Sequence, residues 1–194
     1  TDGVKYDIEI KAIDKAQNES VVTIANNITF DITKPKFTEV LPLASSRINT
    51  QTVEWNVDES LQSGKYTWIH MGGEEDPSAP HEFNLSDDLL KPGKGDNSKL
   101  PPLNLVVDAM YRITLEGTDL AGNTGKKFIM SVVYDDLAPQ LELKYPLSNS
   151  AVNHLDISYS LNEQLSIGQI IYTRVGGEPD ANTPVILDLT GTEL

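Results

Sequence analysis

The chain repeats itself, and this repetition limits its possible folds more than any other feature of the sequence. A tyrosine, alternating apolar residues and then Asp-x-Ala-x-Asn occur at 6–18 and again at 111–123, an offset of 105 residues. The segments that follow, 30–35 and 134–139, match at an offset of 104, and the similarity continues along the chain to Leu189. A repeat of about 104 residues therefore organises the whole chain.

The phase of this repeat predicts three segments. Residues 1–34 match the end of one repeat, 35–138 form a complete one, and 139–194 match the beginning of the next. We call these the leading, central and trailing segments. A chain of 194 residues has room for about two ordinary domains. We therefore expect one complete domain flanked by two partial ones.

Apolar residues alternate with period two, which is typical of strands with one buried face. Tyr66 and Trp68 lie on one such face, and we expect Trp68 to fill the core between two sheets. Further alternating sets are Val53, Trp55 and Val57, with Ile157, Tyr159 and Leu161 as their counterparts. Predicted turns between the strands lie at Ser63-Gly64, Gly72-Gly73, Pro92-Gly93 and Gly122-Asn123. Short strands at this spacing, without a helical pattern, predict an all-β chain of antiparallel sandwich repeats.

The motifs resemble a known class of repeats. Tyr-x-Ile-x-x-x-x-x-Asp-x-Ala-Gly-Asn at 111–123, then Tyr-Asp-x-x-x-Pro and Glu-x-Leu-x-x-Gly, is similar to the bacterial Ig-like tandem repeats of giant secreted adhesins and cell-surface proteins. The resemblance implies an immunoglobulin-like Greek-key sandwich, an extracellular location at the bacterial surface, and a structural or adhesive role. Gln17 stands where this family usually has Gly, so we expect an altered turn there, and Lys34 departs from the usual linker sequence.

Two tyrosines occupy the position of the tyrosine corner of immunoglobulin-like domains. Tyr111 and Tyr6 each stand just inside a predicted strand. At such a corner the tyrosine hydroxyl hydrogen-bonds back to the backbone as the chain enters strand F. We expect that bond in the central segment.

Composition excludes several classes of function. A net charge of −14 argues against nucleic acid and anionic lipid as partners, and suits a solvated surface or one that binds cations. The absence of cysteine excludes disulfides and thiolate metal sites. No apolar run reaches the roughly 20 residues of a membrane-spanning helix. We therefore expect neither nucleic-acid binding nor membrane insertion in this segment.

No motif indicates catalysis. The three histidines, His70, His81 and His154, are scattered, and their counterparts in the other copy are different residues. Neither a zinc-binding helix motif nor a nucleophile elbow occurs. The acidic pairs Glu74-Glu75 and Asp87-Asp88 lie in polar loops. We predict that the chain is not an enzyme.

Acidic and amide side chains recur where the repeats join. In an immunoglobulin-like domain the incoming linker and the BC and FG loops gather at one end of the sandwich. Carboxylates from three segments can supply the roughly six to eight oxygen ligands that Ca²⁺ prefers. The resemblance points the same way, because related adhesin repeats stiffen their junctions with calcium. The candidate ligands at the two junctions are Asp31, Glu59, Asp119, Asn123, Asp135 and Glu163.

A structural interpretation of these residues stays open. Asp119 and Asn123 can close their loop through Asx-type hydrogen bonds, and Asp31 can hold the linker. The loop Gly72–Asp76, repeated at 176–180, is likewise either a shaped turn or a ligand-facing loop.

The tandem arrangement of the repeats indicates which partners to expect for the chain. Domains joined end to end act as stalks, in which each unit contacts its neighbours, so the first interpretation is a stalk or filament. A host or surface glycan or protein is a further expected ligand. Half-sandwiches expose strand edges, so the leading segment of one copy completes the trailing segment of another, or the natural polypeptide continues there. The alternative function is a spacer or carbohydrate-binding module of a secreted polysaccharide-degrading enzyme.

Overall fold

The computed structural model describes residues 1–191 and is nearly all β. Residues 192–194, at the end of the predicted trailing segment, lie outside the described residues. The chain divides into two compact units, Thr1–Asp136 and Leu137–Leu194. Among the described residues, no helix has both the length and the apolar character needed to cross a membrane. The one short helical element described is a 3₁₀ turn at Asp87–Leu90.

The leading segment forms a two-stranded antiparallel sheet. Its strands are β1, Lys5–Ile10, and β2, Thr23–Thr29. The pairing register shifts between Tyr6 and Ile8, which marks a β-bulge.

The central segment contains two sheets. Their strands are β3 Phe37–Leu41, β4 Arg47–Ile48, β5 Glu54–Val57, β6 Leu61–Gly73, β7 His81–Asn84, β8 Gly93–Asp96, β9 Ala109–Asp119 and β10 Thr124–Tyr134. One sheet has three strands in the order β3-β5-β8, and the other has five in the order β4-β10-β9-β6-β7. All neighbouring strands are antiparallel except β4, which pairs in parallel with the end of β10.

The inward faces of the two sheets share one core. The predicted inward set is buried as expected, and Trp68 is fully buried. The Trp68 ring meets the ring of Tyr111 edge on, with centroids 5.7 Å apart. The tyrosine-corner hydrogen bond is also confirmed, because the backbone N–H of Val106 donates to the Tyr111 hydroxyl at 2.9 Å.

The predicted turn at Ser63-Gly64 is wrong, because both residues lie inside β6. A Cβ at Gly64 would lie 2.8 Å from Leu85 Cδ1 and 3.1 Å from the carbonyl oxygen of Glu116. Close packing, rather than a change of chain direction, requires the glycine at this position.

The trailing segment contains four strands, β11 Leu141–Tyr145, β12 Ser158–Leu161, β13 Gln169–Tyr172 and β14 Val185–Asp188. They form two two-stranded antiparallel sheets, β11 with β12 and β13 with β14. The β11–β12 pair has the register of β3–β5 shifted by 104 residues, so that Leu141 faces Leu161 as Phe37 faces Val57. The β13–β14 pair repeats the register of β6–β7 with the same shift.

The β1–β2 hairpin likewise repeats the register of β9–β10. Ile8 faces Ala25 as Ile113 faces Ile129, and the bulge falls at the same place. The turn at Gln17 is not altered as expected, because Gln17 adopts a φ of 69° where Gly122 has 94°. Both turn residues donate their N–H to the carbonyl of the aspartate that opens the loop.

Candidate functional site

Three carboxylates meet at the end of the central segment where the linker enters. Asp31 lies in the linker, Glu59 between β5 and β6, and Asp119 at the end of β9. One carboxylate oxygen of each lies within 4.8 Å of the others. Asp31 and Glu59 are half-buried and Asp119 is fully buried. The fold therefore brings together three candidate ligands from three separate segments, and we call them the acidic cluster.

Asn123 contacts the acidic cluster through its amide nitrogen. Nδ2 donates to Asp119 Oδ2 at 2.9 Å and to the backbone oxygen of Asp31 at 3.1 Å. Asp119 Oδ1 accepts the backbone N–H groups of Ala121 and Asn123 at 2.8 and 2.9 Å. The expected Asx-type closure of this loop is confirmed. In this orientation Asn123 positions Asp119 and the linker and does not present an oxygen to a metal.

The loop of the leading segment has the same bonds. Asp14 Oδ1 accepts the N–H groups of Ala16 and Asn18, and the Asn18 amide donates to Asp14 Oδ2, each at 2.8 Å. The Asp-x-Ala-x-Asn motif therefore folds locally in both copies, whatever lies around it. Its first role is to shape the turn.

Two residues of the acidic cluster, Asp119 and Glu59, have opposite pKa shifts. Burial raises the pKa of Asp119, but hydrogen bonds from Asn123 and Ala121 outweigh it, and the net pKa lies below the usual range. The pKa of Glu59 is raised, first by burial and then by the negative charges of Asp119 and Asp31. The cluster therefore holds mutually repelling charges, and a bound cation would relieve that repulsion.

The carboxylate oxygens of the acidic cluster lie close enough together to contact one cation. Oxygens bound to one Ca²⁺ at about 2.4 Å lie at most about 4.8 Å apart. The three carboxylate oxygens satisfy this limit. Their hard oxygen donors also match the chemistry of the ion. Asp31, Glu59 and Asp119 are the residues that would hold it.

The linker is held from both sides. In the leading segment, Asp2 Oδ1 accepts the N–H of Ile32 at 2.8 Å and Oδ2 accepts the Thr33 hydroxyl. In the central segment, Asp58 Oδ1 accepts the N–H of Lys36 at 2.8 Å. The contribution of Asp2 was not foreseen, because its counterpart in the second copy is a valine and the repeat gave no signal.

Packing reinforces these hydrogen bonds. Pro35 is buried, and its carbonyl oxygen would lie 1.9 Å from a Cβ at position 125. Gly125 therefore lets the linker lie directly against β10. Any side chain there would force the linker away.

The candidates for the second junction, Asp135 and Glu163, lie in different compact units. Asp135 accepts a hydrogen bond from Arg47 at 2.8 Å, and its N–H donates to the carbonyl of Ile48 at 2.8 Å. Glu163 is half-buried in the trailing segment. A second calcium site at this junction therefore stays a prediction.

Sequence reasoning missed a buried polar network beside the core. Asp76 Oδ2 accepts the Tyr111 hydroxyl and contacts His81 Nε2, each at 2.7 Å, and Asp76 Oδ1 accepts the N–H of Ser78. Burial raises the pKa of Asp76, but the bonds from His81 and Tyr111 outweigh it and lower the pKa overall. Gly72 and Gly73 form the end of β6, and the loop that follows supports the core through Asp76. The sequence did contain one signal for this network. The flanking segments keep both residue types, with Asp180 at the position of Asp76 and Tyr6 at the position of Tyr111.

Comparison with known proteins finds no matching family model, no matching curated protein and no matching solved structure. The functional proposal therefore rests on the geometry of the chain and on its internal repeat.

Proposed function

We propose that the chain is a structural and adhesive segment of a long bacterial extracellular surface protein, in which immunoglobulin-like repeats act as a stalk or filament. The observation that carries the proposal is the linker, residues 31–36, which side chains hold from both sides. A stalk transmits its length only if successive domains are joined stiffly. Hydrogen bonds at both ends of the linker supply such a joint.

Three features support the immunoglobulin-like part of the proposal. The three-stranded sheet has the order A-B-E, and the five-stranded sheet adds G, F and C in the order of an immunoglobulin domain. Tyr111 makes the tyrosine-corner bond. The motifs resemble those of bacterial surface repeats. We propose no catalytic role for the chain.

We further propose that Ca²⁺ binds the acidic cluster and stiffens the junction. Melting of the chain in EDTA and across a calcium titration, with magnesium as control, tests this. A ligand that binds only the folded state stabilises it by about 2.7 kcal/mol at 100 times its dissociation constant. We expect the melting temperature to rise with calcium. A melting temperature that stays unchanged up to millimolar calcium would mean that the residues of the acidic cluster only shape the turn and hydrate the surface.

Glu59→Gln sharpens this test, because the Glu59 side chain makes no hydrogen bond or ion pair within residues 1–191. Its raised pKa means that its ionised form opposes folding, and the penalty grows as the pH rises from the unfolded value of 4.5 to the folded pKa and stays constant above it. In EDTA at neutral pH the variant should be more stable than wild type by up to about 1 kcal/mol. In calcium it should lose most of the ion-induced shift. Glu74→Gln, in an exposed loop, is the matched control and should change neither.

The alternative, a carbohydrate-binding module, has less support. Trp55 and Trp68 are both buried in the core, so neither offers a platform for a sugar ring. Adhesive ligands, glycan or protein, would then bind elsewhere in the array.

A further inference from the structure

The leading segment exposes residues whose counterparts form the centre of the core. Tyr6, Ile8 and Ile10 are 44%, 48% and 62% exposed, whereas the matching residues of β9 are fully buried. Those counterparts are Tyr111, Ile113 and Leu115. Within the described residues, the edge of β1 opposite β2 carries no strand. The β1–β2 hairpin thus has the register of the β9–β10 pair. Within the described residues it lacks the second sheet that covers the apolar face of β9 and β10.

The trailing segment exposes the complementary surface. Ile170 and Tyr172 are only half-buried, although their counterparts Tyr66 and Trp68 are fully buried. In the part of the chain that the structure describes, β13 pairs only with β14, whereas β6 pairs with β7 on one edge and β9 on the other. A cleft of about 430 Å³ is lined by Tyr172 and Arg174, by Val185 and Leu187 of β14, and by Asp180, among others.

We propose that β1 of one copy of the chain pairs antiparallel with β13 of a second copy, in the register that β9 and β6 adopt. This inference rests on the proposed function, in which the repeats associate end to end, and it names the partner as the chain itself. In the central segment Leu115 faces Tyr66 and Ile113 faces Trp68. Shifting these pairs by the repeat offsets places Ile10 opposite Ile170 and Ile8 opposite Tyr172.

A polar contact fixes the same register. Asp180 accepts the N–H of Asn182 at 2.9 Å, just as Asp76 accepts the N–H of Ser78 at 2.9 Å. Asp76 also receives the Tyr111 hydroxyl. In the proposed contact the Tyr6 hydroxyl of one copy enters the cleft and donates to Asp180 of the other.

The side-chain sizes are complementary in part. A Cβ at Gly117 would lie 2.9 Å from Leu61 Cδ1 and Cδ2 and 3.0 Å from Phe37 Cζ, so the central segment has no space for one. The leading segment has Ala12 at this position, and the trailing segment has the smaller Leu141 in place of Phe37. This change releases some of the space that the methyl group of Ala12 needs, and Leu165, the counterpart of Leu61, has to shift to give the rest.

One position limits the extent of the contact. Ser20 stands where the central segment has Gly125, against which the linker packs. The proposed contact therefore comprises the β1–β13 sheet and the cleft, and it does not reproduce the linker packing. Because it joins different surfaces of the two copies, it propagates into open chains or closed rings.

Engineered cysteines test the register, since the chain has none of its own. Thr114 faces Thr67 on the outer side of the sheet, and the matching pair is Glu9 and Ile171. A mixture of Glu9→Cys chains and Ile171→Cys chains should oxidise to a disulfide-linked dimer, because facing residues lie within disulfide reach. A mixture of Glu9→Cys with Ile170→Cys is the control and should give little product, because Ile170 points to the other face.

Sedimentation of the 194-residue chain gives a second measurement. Wild type should form oligomers whose size grows with concentration, and Ile8→Asp should weaken association at least about tenfold. Leu120→Asp, which changes an exposed residue of the central segment, should behave as wild type. A chain that stays monomeric to about 100 µM, or equal cross-linking of both cysteine mixtures, would overturn the inference.

The proposed function and the proposed association can be refuted independently of each other. The calcium test concerns the junction within one chain, so a monomeric chain can also show the expected rise in melting temperature. Monomers with a calcium-dependent melting temperature would refute only the association. Register-specific oligomers without any calcium response would refute only the calcium-stiffened junction.

Discussion

The central segment and its two flanking segments have the same strands and registers but differ in burial. Tyr111 and Trp68 are fully buried, whereas Tyr6 is 44% exposed and Tyr172 is half-buried. Even the bulge is shared, with Asn27 and Ser131 at φ values of 60° and 59°. Turn chemistry and alternation therefore set the strand pairing locally, whereas burial requires the opposite sheet. Stability should therefore be concentrated in the central segment.

The largest difference should appear when matched core residues are removed. Trp68→Ala should lower the free energy of unfolding by about 3–5 kcal/mol, since it empties a fully buried site. Tyr172→Ala, at the matching place, removes a half-buried ring and one hydrogen bond to the carbonyl of Leu155, and it should cost no more than about 1.5 kcal/mol in dilute solution. Urea unfolding followed by circular dichroism measures both. Equal costs would mean that the trailing segment has a comparable core.

A smaller difference should separate the two corner tyrosines. Tyr111→Phe removes a donor from the buried Asp76 and should cost about 1–3 kcal/mol. Tyr6→Phe should cost nothing measurable in the monomer. The lowered pKa of Asp76 stabilises the fold above the unfolded value of 3.8, and this is lost as the pH falls through the folded pKa. The penalty of Tyr111→Phe should therefore shrink in acid, and a constant penalty from pH 7 to 3 would argue against the bond to Asp76.

The smallest effect concerns the two turns. Gly122 has open space around its Cβ position, so Gly122→Gln should cost only the left-handed conformation, about 1–2 kcal/mol. The reverse change, Gln17→Gly, should leave global unfolding unchanged and reduce fraying of the leading hairpin, as seen in amide exchange of β1. A larger loss at Gly122 would show that this loop does more than shape the turn.

Much of the fold could be predicted because its signals are local or repeated. Alternation located the core strands, and the repeat offset located their counterparts. The meeting of Asp31, Glu59 and Asp119 also followed from the order of strands and loops. Features that depend on packing were less accessible. Gly64 looked like a turn residue, yet it makes room for Leu85 within a strand.

Contacts between distant residues were the hardest to predict. Asp76 and Tyr111 are 35 residues apart, and only the folded sheets bring them together. Asp2 binds the linker at Ile32, although nothing in its own sequence context marks it as a linker contact. Periodicity indicates which face of a strand is buried, but it does not identify the partner of a buried polar group.

Native-state hydrogen exchange, resolved by segment, tests the central claim most directly. At concentrations where the chain is monomeric, amides of β9 and β6 should exchange only through global unfolding, whereas those of β1 and β13 should exchange far faster. Raising the concentration should slow exchange in β1 and β13 together and leave β9 unchanged. Equal protection of all three segments in the monomer would contradict the account, because the flanking segments would then be stable without a partner.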